Sequence, residues 1–260
     1  MVTFFDFLGK SAIDLVNNLG AATIFFSKSF VMIFRPKQLP EIIEQVYHIG
    51  ARSSPIVMLV GLFTGMVLGL QLYYAFAKLG SEGVLGSVIA LALIRELGPV
   101  LAAIMIAARA GSSMAAEIGI QRISEQIDAL YTMRIDPIEY LISPRIAASI
   151  ISFPLLTAFF DLIGILGGYL TGVVLLGASE GNYWSRVQTS VDWVDVRGGF
   201  IKTLVFAVIV STICCFQGYF THMRSDSHGA KSVSFSTTSA VVLSCVMILI
   251  ADYVVTSFLM

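Results

Sequence analysis

The sequence predicts an all-α protein that crosses a membrane about five times, and three observations support this fold class. Apolar residues make up 57% of the 260 residues, charged residues make up 13%, and the mean hydropathy is +0.86. Soluble domains carry about 25% charged residues. A soluble fold of this length cannot bury so much apolar surface, whereas a bilayer accepts it. The net charge of −1 creates no field that would attract nucleic acid.

Five apolar stretches are long enough to form spans, because about 20 apolar residues cross the hydrocarbon core. The predicted spans lie at about 53–79, 83–108, 146–178, 201–221 and 232–258, which together form a transmembrane domain at 51–260. The third stretch exceeds one straight crossing and contains Pro154. We interpret it as one long, tilted or broken helix, because the polar residues of a full turn are absent.

The N-terminal segment, residues 1–50, is predicted to form interfacial helices. Asp6, Lys10 and Asp14 recur at helical spacing on one face, and Phe and Leu residues occupy the other. This amphipathic pattern is typical of a helix that lies in the headgroup plane. Residues 21–34 are too few for a comfortable span, so the sequence favours an interfacial or re-entrant segment over a sixth crossing.

The distribution of basic residues predicts the orientation. With the N-terminus in the cytoplasm, eleven Lys and Arg residues lie inside and four lie outside, namely Lys78, Arg186, Arg197 and Lys202. Loops rich in Lys and Arg remain in the cytoplasm. We therefore expect a cytoplasmic N-terminus and an external C-terminus, with Trp184 and Trp193 near the outer membrane–water interface.

Arg95 and Glu96 are adjacent charges at the centre of the second apolar stretch. Charges at membrane depth are costly and face a bundle interior or a wet cavity. Neighbouring helical positions point about 100° apart, so each side chain needs a separate partner. Two interpretations remain open: a polar spot in a lipid cavity, with Arg95 binding a phosphate, or salt bridges between helices.

The first span carries Gly61, Gly65 and Gly69 at a spacing of four residues. Such a stripe of small residues allows close contact between helices or chains. As an alternative, the missing side chains of these glycines leave room for an acyl chain. The apolar residues that continue this face or flank it are Leu68, Leu72, Phe76 and Leu79.

The segment between the second and third spans, residues 109–145, contains nine charged residues. Its apolar residues Ile120, Ile123, Ile127 and Leu130 fall on one helical face, which predicts an amphipathic helix over 117–131. A short helix between two spans suits docking on a soluble partner, and an ordinary solvated loop helix is the alternative. The polar residues of interest are Glu117, Arg122, Glu125 and Asp128.

The sequence predicts no catalytic site, metal site or cofactor in this chain. Gly9-Lys10-Ser11 lacks the preceding glycine of a phosphate-binding loop, because that position is Phe4. The three histidines lack metal-ligand spacing, and no nucleophile motif is present. Asp161 and Asp252 are isolated carboxylates for which a proton relay is conceivable but a buried pair or a polar cavity is favoured. Energy for active transport would come from a partner or an ion gradient.

Several runs of residues form a set of motifs. They are Arg95-Glu96-Leu97-Gly98-Pro99-Val100, Ala108-Arg109-Ala110-Gly111-Ser112, Ala116-Glu117-Ile118-Gly119, Ser124-Glu125-Gln126-Ile127-Asp128-Ala129-Leu130, Asp136-Pro137, Ser143-Pro144-Arg145 and Gly65-Met66-Val67-Leu68-Gly69-Leu70-Gln71. This set resembles the MlaE-type permeases, the membrane subunits of MCE-associated ABC transporters. The resemblance extends from about residue 40 to the C-terminus.

The resemblance implies a homodimer in the bacterial inner membrane that binds a cytoplasmic ABC ATPase, a small STAS-domain protein and a periplasmic hexameric ring of MCE domains. The ATPase would bind ATP and magnesium. Such transporters move phospholipid between the inner and outer membranes and help to maintain outer-membrane lipid asymmetry. The 117–131 segment would couple to the ATPase, and lipid would lie between the two first spans, near Leu68, Leu72, Phe76 and Arg95.

Two other classes of function remain as alternatives. A secondary transporter driven by an ion gradient would show paired repeats and midplane ion ligands, and the sequence has only scattered carboxylates. A lipid channel or scaffold that is not coupled to ATP would move lipid without an ATPase.

Overall fold

The computed structural model describes residues 20–21, 23–29, 39–223 and 229–259. Within them, five helices are long and apolar enough to cross a membrane, which confirms the predicted all-α polytopic fold. In chain order the helices are α1 (Leu39–Ala77), α2 (Glu82–Ile123), α3 (Gln126–Thr132), α4 (Ile138–Leu175), α5 (Glu180–Ser190), α6 (Trp193–Tyr219) and α7 (Ala230–Leu259). The predicted amphipathic helix around Asp6, Lys10 and Asp14 lies outside the described residues.

The helices extend beyond the apolar stretches of the sequence. For example, α2 continues to Ile123, and α6 already begins at Trp193. Lys202, which the orientation argument counts among the outside residues, therefore lies inside α6 and is buried. A charged residue ends an apolar run but does not end a helix, because a paired or solvated charge leaves the backbone hydrogen bonds intact.

The glycine stripe of α1 packs against α4 within the same chain. A Cβ atom at Gly65 would overlap the carbonyl oxygen of Gly164, and one at Gly69 would lie 3.0 Å from the carbonyl oxygen of Gly168. Gly61 faces the α4 backbone in the same way. Backbones approach this closely only where side chains are missing, so the stripe fixes the register of α1 on α4.

The bundle has two ends, which we call the α5 end and the α3 end. At the α5 end, Tyr183 is buried and its hydroxyl donates to the carbonyl oxygen of Ile165 at 2.8 Å. Its ring also contacts the rings of Tyr169 and Trp184. At the α3 end, Ile127 is buried in an apolar cluster that holds α3 against the ends of the spans.

We predict that Gly65→Ala destabilises the fold, because the added methyl group meets backbone that has no room to move. Overpacking of this kind costs about 1–3 kcal/mol. The measurement is thermal unfolding of the purified chain in detergent. Gly181→Ala in α5 is the control, because a Cβ atom there meets nothing within 4 Å. Equal stability of the two variants would contradict the proposed packing.

Candidate functional site

Arg95 forms a salt bridge between two spans. Its Nε donates to Asp195 Oδ1 at 2.7 Å. Asp195 also belongs to a capping box at the start of α6, in which its Oδ2 accepts a hydrogen bond from the backbone N–H of Asp192 at 3.2 Å. The Asp195 carboxylate thus takes part in capping the first turn of α6 and also holds that end of the helix against α2.

Glu96 and Lys202 form a second, more buried salt bridge. The Lys202 ammonium group lies 2.6 Å from Glu96 Oε2 and 3.2 Å from Asp252 Oδ1, and the Lys202 side chain is only 3% exposed. The three residues join α2, α6 and α7. As expected from the geometry of adjacent helical positions, Arg95 and Glu96 have separate partners.

Pro99 explains the third partner of Lys202. Proline has no backbone N–H, so it cannot donate to the carbonyl oxygen of Arg95 four residues earlier. Lys202 Nζ donates to that oxygen at 2.9 Å. α2 also forms a π-helical turn at Leu93–Leu97, directly before Gly98 and Pro99. The ammonium group therefore satisfies a backbone acceptor that the helix itself leaves open.

We call these five residues, Arg95, Glu96, Asp195, Lys202 and Asp252, the polar network. They provide two cations and three carboxylates, and both cations are paired. A cavity of about 250 Å³ lies beside them and is also lined by Val194, Gly198 and Leu259. A phosphate entering the cavity would meet an Arg95 guanidinium group whose Nε already donates to Asp195 and whose side chain is 47% exposed. The geometry thus gives both residues a role in holding helices together.

The predicted lipid-binding residues do not all lie together within one chain. Leu68, Leu72 and Phe76 are half-buried on α1 and pack against the apolar core, whereas Leu79 is 75% exposed. The cavity at Arg95 and Glu96 is lined by α2, α6 and α7. The two groups are therefore separate features of one protomer.

The predicted amphipathic helix over 117–131 is wrong as a single element. α2 runs to Ile123, and α3 begins again at Gln126. Between them Glu125 adopts a left-handed backbone conformation with φ of 59°, which breaks the helix. The predicted apolar stripe divides accordingly, because Ile127 is buried but Ile120 is 56% exposed.

Arg122 joins the end of α2 to α3 and to the residues after α6. It donates to Asp128 Oδ1 at 2.9 Å and to His222 Nδ1 at 3.0 Å. Burial, followed by the charge of Arg122, lowers the pKa of His222, so the neutral imidazole that accepts this bond is favoured. The guanidinium carbon of Arg122 also lies 5.6 Å from the centre of the Tyr219 ring. The hydroxyl groups of Tyr131 and Tyr219 are 2.7 Å apart. We call Arg122, Asp128, Tyr131, Tyr219 and His222 the α3 clamp.

The remaining predicted coupling residues differ in their contacts. Glu117 accepts hydrogen bonds from Ser113 at 2.8 Å and from Arg145 at 3.1 Å, so it joins α2 to the start of α4. Glu125 is exposed, and the structure shows no ion pair for it among the described residues. Of the four predicted residues, Glu125 is therefore the acid most available to a docking partner.

Sequence reasoning did not identify Asp195, Lys202 or Tyr131 as site residues. Their partners are 100, 106 and 88 positions away in the sequence, respectively, and local periodicity does not encode such distant contacts. One signal was present in the sequence, because Asp195 and Lys202 are seven residues apart and therefore share a helix face. Asp252, which was expected to occupy a buried pair or a polar cavity, lies beside Lys202.

Comparison with known proteins gives consistent matches over almost the whole chain. The family model described as Permease MlaE matches residues 42–258. The chain is 40% identical over 263 residues to the intermembrane phospholipid transport system permease protein MlaE of Haemophilus influenzae, covering 100% of this chain and 98% of that protein. It is 42% identical over 250 residues to a probable ABC transporter permease protein of Rickettsia bellii, covering 96% and 95%. It is 38% identical over 216 residues to the chloroplastic protein TRIGALACTOSYLDIACYLGLYCEROL 1 of Arabidopsis thaliana, covering 83% and 60%.

We predict that Lys202→Met lowers the free energy of unfolding by about 3 kcal/mol, because it leaves two carboxylates without their cation. Thermal or denaturant unfolding in detergent measures the change. Arg197→Met is the matched control on α6, since Arg197 is exposed and has no ion pair among the described residues. Adding Glu96→Gln and Asp252→Asn to Lys202→Met removes the stranded charges and is expected to recover most of the loss. No recovery would show that lost packing, and not unpaired charge, causes the effect.

Proposed function

The chain is a multi-pass membrane protein that belongs to the MlaE permease family, and from this premise we propose that it is the membrane-spanning subunit of an ATP-binding-cassette transporter of phospholipids. The observation that carries the proposal is the full-length similarity to a relative named as an intermembrane phospholipid transport permease. In the proposal, the transporter moves phospholipid between the inner and outer membranes and thereby maintains outer-membrane lipid asymmetry. The chain lies in the inner membrane with its α3 end in the cytoplasm.

The proposed assembly is a homodimer with a cytoplasmic ABC ATPase, a small STAS-domain protein and a periplasmic ring of MCE domains. Several relatives are named as ABC transporter permeases, which supports an ATPase partner. The permease itself performs no covalent chemistry. The energy comes from the partner, which binds ATP and magnesium.

The α3 end is the proposed contact with the ATPase. Glu125 is exposed at the junction of α2 and α3, and Asp128 is 55% exposed beside it. The α3 clamp connects this surface to the membrane, because Tyr131 and Tyr219 hydroxyls are 2.7 Å apart and Tyr219 ends α6. In the proposal, a displacement of α3 by the ATPase is therefore transmitted to both α2 and α6.

The proposed lipid route follows the α1 face at Leu68, Leu72 and Phe76, between the first spans of two protomers. The glycine stripe packs α1 on α4, and these larger residues are half-buried against the apolar core of the same protomer. Leu79 extends the route at the exposed end of α1, and in the proposal Arg95 and Glu96 contact the lipid from the separate cavity between α2, α6 and α7. Movement of α2 changes the position of both charges relative to α6.

We predict that Glu125→Lys lowers lipid-stimulated ATP hydrolysis at least about tenfold, because a reversed charge at a docking surface creates like-charge contacts or removes attractive ones. Complex assembly with the ATPase is measured by size-exclusion chromatography, and hydrolysis is measured in nanodiscs. Glu82→Lys is the matched control, since Glu82 is an exposed acid at the opposite end of the bundle. If Glu125→Lys behaves like Glu82→Lys, the docking surface is not α3. If the wild-type chain fails to bind or stimulate the ATPase, the ABC proposal itself fails.

We also predict that Tyr131→Phe uncouples hydrolysis from transport without preventing assembly, because it removes one partly buried hydrogen bond between α3 and α6. Lipid transfer per ATP hydrolysed is expected to fall severalfold, as loss of about 1 kcal/mol permits. Tyr140→Phe is the control, because Tyr140 is an exposed tyrosine near the same end. An unchanged ratio in Tyr131→Phe would show that force reaches the spans by another path.

A further inference from the structure

A second cavity lies between α2, α4 and α6. Its volume is about 250 Å³, and most of its lining is apolar. Leu162 and Phe200 line it and are 60% and 42% exposed, so the cavity opens on the apolar outer surface of the bundle. Neither the polar network nor the α1 residues of the proposed lipid route line it. We call it the α4 cavity.

Two polar side chains of α4 line the α4 cavity, and each has a buried oxygen without a hydrogen-bond partner among the described residues. These oxygens are Thr157 Oγ1 and Asp161 Oδ1. The residues are four positions apart, so they lie one above the other on the same helix face. Thr157 is only 5% exposed.

The Thr157 hydroxyl differs from those of Ser149 and Ser211, and within the described residues it shares the lack of a partner with a few other buried hydroxyls of the spans, among them Thr212. Ser149 and Ser211 donate to the carbonyl oxygens four residues earlier, at 2.8 and 2.7 Å, which is the usual solution for a hydroxyl within a helix. Thr157 makes no such bond among the described residues. A buried hydroxyl without a partner loses about 1–3 kcal/mol, so a ligand that accepts its hydrogen bond recovers that energy.

The state of Asp161 follows from its surroundings. Asp161 Oδ1 packs directly against Gly98, and neither Arg95 nor Lys202, which are paired with other carboxylates, lines the α4 cavity. An ionised carboxylate without a cation in an apolar site is far more costly than a neutral acid. As the neutral acid, Asp161 presents an O–H donor beside the Thr157 hydroxyl.

We propose that the α4 cavity binds the ester end of a membrane lipid, with the Asp161 acid and the Thr157 hydroxyl donating hydrogen bonds to ester carbonyl oxygens. An ester carries acceptors and no donors, which complements two adjacent donors. The attached acyl chain fits the apolar lining and leaves through the opening at Leu162 and Phe200. This site adds to the proposed function and takes its substrate class, a phospholipid, from it. Binding at this site requires neither ATP nor a partner protein.

The test uses the full-length chain in nanodiscs and a phosphatidylethanolamine that carries a diazirine beside the ester carbonyl of one acyl chain. After irradiation without ATP, labelled peptides are identified by mass spectrometry. We expect labels on α4 near Ala158 and Asp161. Asp161→Leu is expected to reduce labelling there about tenfold. Asp161→Asn, which keeps a neutral donor of similar shape, is expected to retain it.

Two further variants test the contribution of the Thr157 hydroxyl and the need for the empty volume of the α4 cavity. Thr157→Val is expected to reduce labelling about fivefold, as loss of one hydrogen bond predicts. Its matched control is Thr212→Val, because Thr212 also has a buried hydroxyl without a partner but does not line the cavity. Ala158→Phe, which fills the cavity, is expected to abolish labelling. Thermal unfolding of each variant identifies losses that arise from misfolding.

Three results would overturn the inference: labels located away from α4, undiminished labelling in Asp161→Leu and Ala158→Phe, or equal losses in Asp161→Asn and Asp161→Leu. The last result would mean that the site needs a carboxyl group and not a neutral donor. Failure here is distinguishable from failure of the proposed function. A chain that lacks the label on α4 but supports ATP-driven lipid transfer would refute only the α4 cavity site.

Discussion

The buried ammonium group of Lys202 is the contact on which the arrangement of the spans at the α5 end depends. In the hydrocarbon region of a bilayer, a polar group without a partner in the protein is costly, because no water is present to replace that partner. Lys202 is the cationic partner of Glu96 and Asp252, and it donates a hydrogen bond to the carbonyl oxygen of Arg95, to which Pro99 cannot donate. Three helices therefore converge on one cation, and moving any of them strands a charge or a backbone acceptor.

This constraint makes α2 a continuous mechanical element. The helix extends from Glu82 to Ile123, so it carries the polar network in one half and Arg122 in the other. At the α3 end, the clamp fixes α2 to α3 and to the residues after α6. In the proposed function, a displacement of α3 travels along this helix to Arg95 and Glu96. The π-helical turns at Ala107–Gly111 and Leu93–Leu97, and Pro99 directly after the latter, interrupt the regular hydrogen bonding of α2.

The sequence predicted features that are local and missed those that are distant. Apolar run length predicted five spans, because crossing a bilayer is a property of about 20 consecutive residues. The spacing of Gly61, Gly65 and Gly69 indicated a close helix contact, and the structure places α4 there. Adjacent charges on a helix diverge, so separate partners for Arg95 and Glu96 also followed from geometry. The identity of those partners, Asp195 and Lys202, did not follow, because pairing across more than 90 residues depends on how the helices assemble.

The incorrect prediction of one helix over 117–131 has a specific physical cause. Periodicity records which side chains share a face but does not record the backbone conformation of one residue. Glu125 has no glycine-like or proline-like signature, yet its left-handed backbone ends one helix and begins the next. The break separates Glu125, which is exposed, from Ile127, which lies on the buried face of α3.

Two of the cavities in the bundle differ in how their polar groups are paired. In the polar network each cation lies within ion-pair distance of a carboxylate, although Asp252 Oδ1, 3.2 Å from Lys202 Nζ, makes no hydrogen bond with the described residues, and the network holds α2, α6 and α7 together. In the α4 cavity, by contrast, Thr157 and Asp161 have oxygens that the described residues leave without partners. A buried polar atom without a partner destabilises a fold unless it serves another purpose. A molecule from the surrounding membrane that provides only acceptors satisfies both groups, and the opening beside Leu162 and Phe200 gives it a path from the hydrocarbon.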